Sequence, residues 1–232
     1  MAQLFQYLLM KSSSERYIDY LRKLGMKIGD RTTVFSPRHT MIDETRPFLI
    51  EIGDDVQITQ DVTILTHGYD WSVLKHCYGN VLGSSGKVKI GNNVFIGMKA
   101  TILKGTTIGD NVIIGANSLV NRDVPDNCVF AGNPGKFIMT IKEYYKKRKD
   151  AQAKEAKELV VEYFNRFHRI PPKDALSEFF WLFENRGNKL TESFEAKMKL
   201  TGNLDVSKYK YSNSSPTFSG YKEFLKYCGI VK

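Results

Sequence analysis

At 232 residues the chain is long enough for one large domain or two small ones, and its 42% hydrophobic content can fill a core. The formal net charge of +9 is uneven: residues 1–140 carry 15 Lys+Arg against 13 Asp+Glu, and residues 141–232 carry 19 against 12. Three cysteines, Cys77, Cys128 and Cys228, are widely spaced and form no CxxC pair, which argues against a zinc cage or a disulfide framework and for a reducing cytoplasm.

The N-terminal segment MAQLFQYLLMKSSSERY is too short in apolar residues for a membrane span and shows no cleavage signature. Residues 3–24 read as a helix or helical pair, with Leu4, Tyr7, Leu8, Tyr17, Tyr20, Leu21 and Leu24 on one stripe and Gly25 as the stop. Residues 1–25 are therefore expected to form a helical cap.

From residue 26 to residue 140 a six-residue beat governs the chain. Ile90, Ile96, Ile102, Ile108, Ile114 and Val120 stand six apart, and Gly91, Gly97, Gly109 and Gly115 each follow an aliphatic. The same phase fits Ile28, Val34, Ile52, Ile58 and Ile64, and small residues recur at Ala100, Thr106 and Ser118. A period of six is neither helical nor a plain alternating strand. It predicts a parallel β-helix, a solenoid in which Ile90 lies under Ile108, Ile96 under Ile114 and Ile102 under Val120. The glycines are expected to supply turn conformations. A dinucleotide-binding reading fails because no helix follows them.

Two segments interrupt the beat: SPRHTMIDETRPFL between Val34 and Ile52, and HGYDWSVLKHCYGNVLGSSGK between Thr66 and Val88. Long loops thrown from a rigid scaffold usually carry function. AGNPGKFI is expected to close the solenoid. Residues 141–232 read as a basic helical extension, with helices over 141–168 and 174–185, weaker ones over 191–200 and 219–228, and loop over 201–218. The aromatic residues of this extension are expected to pack on the β-helix or a neighbouring subunit, with a glycan platform as the alternative reading. KKRK at 146–149 lacks a surrounding nucleic-acid motif.

IGNNVFIG, GTTIGDNVIIGANSLV and VFAGNPGKFI resemble the sugar O-acetyltransferases of the maltose and galactoside type. TMIDETRPFLIEIGDDVQIT and ILTHGYDWSVL resemble polysaccharide-biosynthesis members of the same hexapeptide-repeat acyltransferases. The resemblance covers about half the chain, roughly residues 26–140. It implies a left-handed coil, acetyl coenzyme A as co-substrate, no metal, a sugar or glycan-precursor acceptor, and a homotrimer with each site between adjacent subunits.

Acyl transfer from a thioester to a hydroxyl needs a base near neutral pH, and imidazole fits that need. His67 opens the long loop, where the relatives carry their catalytic histidine. Asp70 is expected to orient the ring or bind sugar hydroxyls, and Trp71 to stack on a sugar face. Ser36 and Asp43, one coil earlier, are the acceptor candidates; the relatives have Asn where this chain has Ser36. For the coenzyme, the resemblance implies Gly97, Gly115 and Ala116 along the pantetheine and Asn121, Arg122 and Lys136 near the phosphates. Met98 stands where relatives have Ser, so an oxyanion donor near Gly97–Met98 must be backbone N–H or water.

Transfer to the nitrogen of an amino sugar uses the same scaffold and base, and stays open beside O-transfer. A zinc site of the carbonic anhydrase type is disfavoured, because no histidine occurs between His76 and His168. Cys77 beside His76 is not expected to act as a nucleophile, and His39 and His76 are expected to be peripheral. A non-enzymatic binding module is the remaining alternative.

Overall fold

The computed structural model describes residues 9–231. The chain divides into two compact units, one ending at Tyr144 and the other beginning at Tyr145. The first unit contains the repeats. It opens with a helix, Ser14–Lys23, followed by the strands β1 (Lys27–Ile28), β2 (Thr33–Val34) and β3 (Met41–Ile42). The next turn of the solenoid holds β4 (Ile50–Ile52), β5 (Gln57–Ile58) and β6 (Thr63–Ile64). The long insertion then supplies β7 (His67–Gly68), a helix over Trp71–Tyr78, and β8 (Ser84–Ser85). Regular winding resumes with β9 (Val88–Ile90), β10 (Val94–Ile96), β11 (Thr101–Ile102), β12 (Thr107–Ile108), β13 (Val112–Ile114) and β14 (Leu119–Val120). It finishes with β15 (Cys128–Ala131) and β16 (Lys136–Thr140).

Each coil contributes one short strand to each of three parallel faces. The first face has the order β1-β4-β9-β12, the third β14-β11-β6-β3, and the second runs β15-β13-β10-β5-β2 with β16 added antiparallel at its end. Ile90 pairs with Ile108, Ile96 with Ile114 and Ile102 with Val120, as the period requires. These side chains are buried in inward columns, and the small positions Ala100, Thr106 and Ser118 are buried beside them. The hydroxyls of Thr106 and Ser118 are satisfied, donating to Leu103 O at 2.8 Å and Gly115 O at 2.7 Å.

The glycines play a different part from the one expected. Left-handed backbone falls three residues after most of the aliphatics, at Arg31, Asp55, Asp61, Asn93, Lys99, Gly105, Asn111 and Asn117. Asn and Asp tolerate that region best among residues with a side chain. The glycine directly after the aliphatic instead permits close stacking of coils: a Cβ on Gly91 would stand 2.7 Å from Gly109 O, and one on Gly97 2.6 Å from Ala116 N. Gly91→Ala should therefore lower the free energy of unfolding by about 1–3 kcal/mol through overpacking. Urea denaturation checks this, and an unchanged midpoint would count against it.

The two ends of the solenoid are finished differently. Tyr17, Ile18 and Leu21 of the first helix are buried in the solenoid core, and Ser14 Oγ accepts the N–H of Val34 at 2.8 Å. An edge strand's donor is thereby occupied. Leu4, Tyr7 and Leu8 of the expected stripe lie outside the described residues. At the far end β16 pairs with β15.

The second unit is helical and has its own core. Its helices are Ile141–Phe167 (which begins in the first unit), Glu192–Lys199, Leu204–Ser212 and Tyr221–Cys228. Phe180, Phe183, Phe194, Tyr211 and Phe224 are buried together, so the aromatic residues pack on one another within this unit. The helix expected over 174–185 is replaced by two 3₁₀ turns, Lys173–Leu176 and Phe180–Leu182. The run of large apolar side chains has no single apolar stripe, and the tighter turns bury Phe180, Leu182 and Phe183 together. The loop expected over 201–218 contains the helix Leu204–Ser212, whose Tyr211 is anchored in the core. Among the described residues no helix is long and apolar enough to cross a membrane.

Candidate active site

His67 leaves the third face directly after β6, at the edge where the chain turns toward the first face. Asp43 follows β3 at the same edge one coil earlier, because Ile42 pairs with Ile64. This register brings Asp43 Oδ2 to 2.7 Å from His67 Nδ1. Asp43 is 4% exposed and accepts an unusual number of hydrogen bonds. Thr45 donates its N–H at 3.0 Å and its hydroxyl at 2.6 Å to Oδ1. Thr66 donates its N–H at 3.1 Å and its hydroxyl to Oδ2. Burial pushes the Asp43 carboxyl upward, but the donors from Thr45 and Thr66 outweigh it and hold the group well below the usual carboxylate range.

An ionised carboxylate at Nδ1 requires that nitrogen to carry the proton. Nε2 is then the unprotonated nitrogen and presents a lone pair for proton abstraction. A cleft of 710 Å³ opens at this point, lined by His67, Asp43 and Thr45 and by Arg38, His39 and Asp61. The contact expected of Asp70 is thus made by Asp43, which the sequence reading put on the acceptor side. Asp70 has no hydrogen bond to His67 among the described residues; its carboxylate lies against Gly68, where a Cβ would collide with it. Thr45 and Thr66 escaped the sequence reading. The signal for them was register: once Ile42 stacks on Ile64, the polar residues after each must meet.

The insertion is more ordered than a plain loop. His67 pairs with Ser85 and Gly68 with Ser84 in a short antiparallel ladder that fixes the backbone at the imidazole. Gly79, with φ of 80°, ends the helix Trp71–Tyr78. Trp71 is half-buried against Tyr69, with ring centroids 4.7 Å apart.

The remaining candidates separate onto two edges of the solenoid. Asn121 and Arg122 follow β14 on the edge that carries Asp43 and His67, and both are exposed. Ser36, Gly97, Met98, Gly115 and Ala116 lie on the other edge of the third face, where the chain leaves the second. Lys136 joins this second group: the preceding Gly135 donates its N–H to Leu119 O at 2.8 Å. Ser36 is partly engaged, its carbonyl accepting the Thr40 hydroxyl at 2.9 Å. The Gly97 N–H is committed to Ile114 O at 2.9 Å, which removes it as an oxyanion donor. Met98 is exposed, and its N–H has no backbone acceptor among the described residues.

Cys77 is exposed, whereas Cys128 and Cys228 are buried. Burial, with Asp126 nearby, pushes the Cys128 thiol up, and burial pushes that of Cys228 up to about 11. Thiols held protonated in this way are inert. Among the described residues no cluster of three or more His, Cys, Asp or Glu side chains could hold a metal ion.

Residues 87–122 match the family described as bacterial transferase hexapeptide (six repeats). Protein CapG of Staphylococcus aureus is 41% identical over 145 residues, covering 62% of this chain and 81% of its own length. The putative acetyltransferase YvoF of Bacillus subtilis (strain 168) is 38% identical over 130 residues, 56% of this chain and 69% of its own. The galactoside O-acetyltransferase of Escherichia coli (strain K12) is 39% identical over 115 residues, 46% of this chain and 52% of its own. Together with the stacked six-residue coils, these similarities show that the chain belongs to the hexapeptide-repeat acetyltransferase family.

Proposed function

We propose that the protein transfers an acetyl group from acetyl coenzyme A to a hydroxyl of a sugar or glycan precursor, with His67 as general base. The observation that carries this reading is the Asp43–His67 pair, which leaves Nε2 as the proton acceptor at the mouth of a polar cleft. Nε2 takes the acceptor's O–H proton as that oxygen bonds to the thioester carbonyl carbon. The tetrahedral oxyanion is stabilised by a backbone N–H, for which Met98 is the candidate. Collapse breaks the carbon–sulfur bond, and the imidazolium returns its proton to the departing thiolate. Similarity to a galactoside O-acetyltransferase supports a sugar hydroxyl as acceptor. Asp70 and Trp71, beside the base but not holding it, are assigned to the acceptor.

The working unit in this reading is a left-handed, cytoplasmic homotrimer. The Gly97–Ala116 edge of one subunit lies against the His67 edge of the next, which reunites residues that one chain keeps apart. Exposed apolar side chains on the solenoid, Phe35, Met41, Phe95 and Met98 among them, support association through these surfaces. Light scattering should give three times the chain mass; a monomer at assay concentration would contradict the shared site.

The deciding experiment is thiol release from acetyl coenzyme A in the presence of a panel of sugars, with mass spectrometry locating the product's acetyl group. Acetyl on oxygen supports the proposal, acetyl on the nitrogen of an amino sugar replaces it with N-transfer, and no thiol release with any sugar rejects it. Arg122→Ala and Lys136→Ala should each raise KM for acetyl coenzyme A more than they lower kcat, because they meet remote phosphates. An unchanged donor KM in both would move the coenzyme elsewhere.

A further inference from the structure

The C-terminal unit holds a cleft of its own, 580 Å³ in volume, for which acetyl transfer has no use. Trp181 lines it, half-buried, its ring held by Phe180 at 5.4 Å and edge-on by Tyr211 at 5.2 Å. Lys149 and Lys210 bring two ammonium groups, and Asp150, Gln152 and Thr217 bring mixed donors and acceptors. Among the described residues none of these five side chains has a hydrogen-bond or ion-pair partner within the protein. A fixed indole beside a ring of uncommitted polar groups suits a pyranose, which has an apolar face and an equator of hydroxyls. The two lysines add a preference for negative charge, in a unit that already carries a cationic surplus. A single-stranded nucleic acid would call for several stacking rings along a cationic track, and here the lining offers two rings, Trp181 and the exposed Tyr145, with the Asp150 carboxylate among them.

We propose that this cleft binds an acidic saccharide, with a sugar ring against Trp181 and its carboxylate or phosphate on Lys149 and Lys210. The binding stands apart from the acetyltransferase reading; that it retains a polymeric acceptor for modification rests on that reading.

The chain has two tryptophans, so Trp71→Phe leaves Trp181 as the sole indole reporter. Full-length protein with this substitution is titrated with oligogalacturonate, with a phosphomannan oligomer and with neutral maltohexaose, and its emission is followed. The expected result is a saturable change with at least one acidic oligomer, and roughly tenfold or weaker affinity for the neutral one. Which acidic oligomer binds tells carboxylate from phosphate recognition. Adding Lys149→Gln and Lys210→Gln should cost roughly tenfold or more in affinity, with circular dichroism unchanged. No saturable change with either acidic oligomer at millimolar concentration would overturn the proposal. So would equal affinity in the lysine variant, or tighter binding of an oligothymidylate than of both acidic saccharides. None of these readouts depends on acetyl transfer.

Discussion

His67→Ala should lower kcat for acetyl transfer by roughly 100- to 10,000-fold, the usual cost of removing a positioned general base. Affinity for acetyl coenzyme A should be nearly unchanged, because His67 itself is not a donor candidate and most of those, Gly97, Met98, Gly115, Ala116 and Lys136, lie on another edge of the solenoid, Asn121 and Arg122 sharing its own. The fold should also survive. His67 sits at the root of the insertion rather than in the aliphatic columns, so truncation leaves the core intact. Asp43 stays ionised near neutral pH, since its hydrogen bonds hold it below ordinary carboxylates. Steady-state kinetics with equilibrium coenzyme binding separate the two effects. Near wild-type kcat in a folded His67→Ala protein would remove the assignment.

Asp43→Asn should have an effect of similar size, between about 10²- and 10⁴-fold in kcat, although Asp43 is buried and acts through the imidazole. Five donors converge on its two oxygens: the N–H and hydroxyl of Thr45, the N–H and hydroxyl of Thr66, and His67 Nδ1. An amide cannot accept from all of them. If its NH₂ faces His67, the ring must present a lone pair at Nδ1, and Nε2 then carries the proton and ceases to be a base. If its NH₂ faces Thr45, two donors lose their acceptor. The same substitution should change stability with pH in a definite direction. A carboxyl held lower in the folded state than in the unfolded chain contributes stability that is fully present above the unfolded value. That contribution starts to be lost as pH falls below about 4 and is gone only once pH has fallen through the folded-state value, below the ordinary carboxylate range. Urea denaturation should show wild type losing more stability over this interval than Asp43→Asn. An equal loss would mean that the Asp43 hydrogen bonds do not favour its charged form.

Most of the solenoid was legible because a repeat reports on itself. Each aliphatic sees its equivalent one coil away, so Ile90, Ile96 and Ile102 could be paired with Ile108, Ile114 and Val120 before any coordinates. What the glycines do was not legible. Gly91 looks like a turn residue in sequence, yet the left-handed φ is at Asn93, and only the approach of Gly109 shows why Gly91 lacks a side chain. His67 could be found from its place at a break in the repeat. Its orienting partner could not: Asp70 is near in sequence, whereas Asp43 is near only after coils stack. In the C-terminal unit no repeat constrains the chain. The aromatic run 179–183 suggested a helix by composition, and packing turned it into 3₁₀ geometry. Tyr211 drew a helix into a segment whose composition suggested loop.

Whether His67 and Asp43 act as one base is decided by a double-mutant cycle on kcat. His67→Ala, Asp43→Asn and the double variant are compared under identical saturating acetyl coenzyme A and acceptor. If Asp43 works only by orienting the imidazole, its loss costs nothing once the imidazole is gone, so the double variant should turn over as slowly as His67→Ala alone and no slower. A double variant slower than His67→Ala by the full factor that Asp43→Asn costs in the wild-type background would show the two acting independently, and would contradict the account.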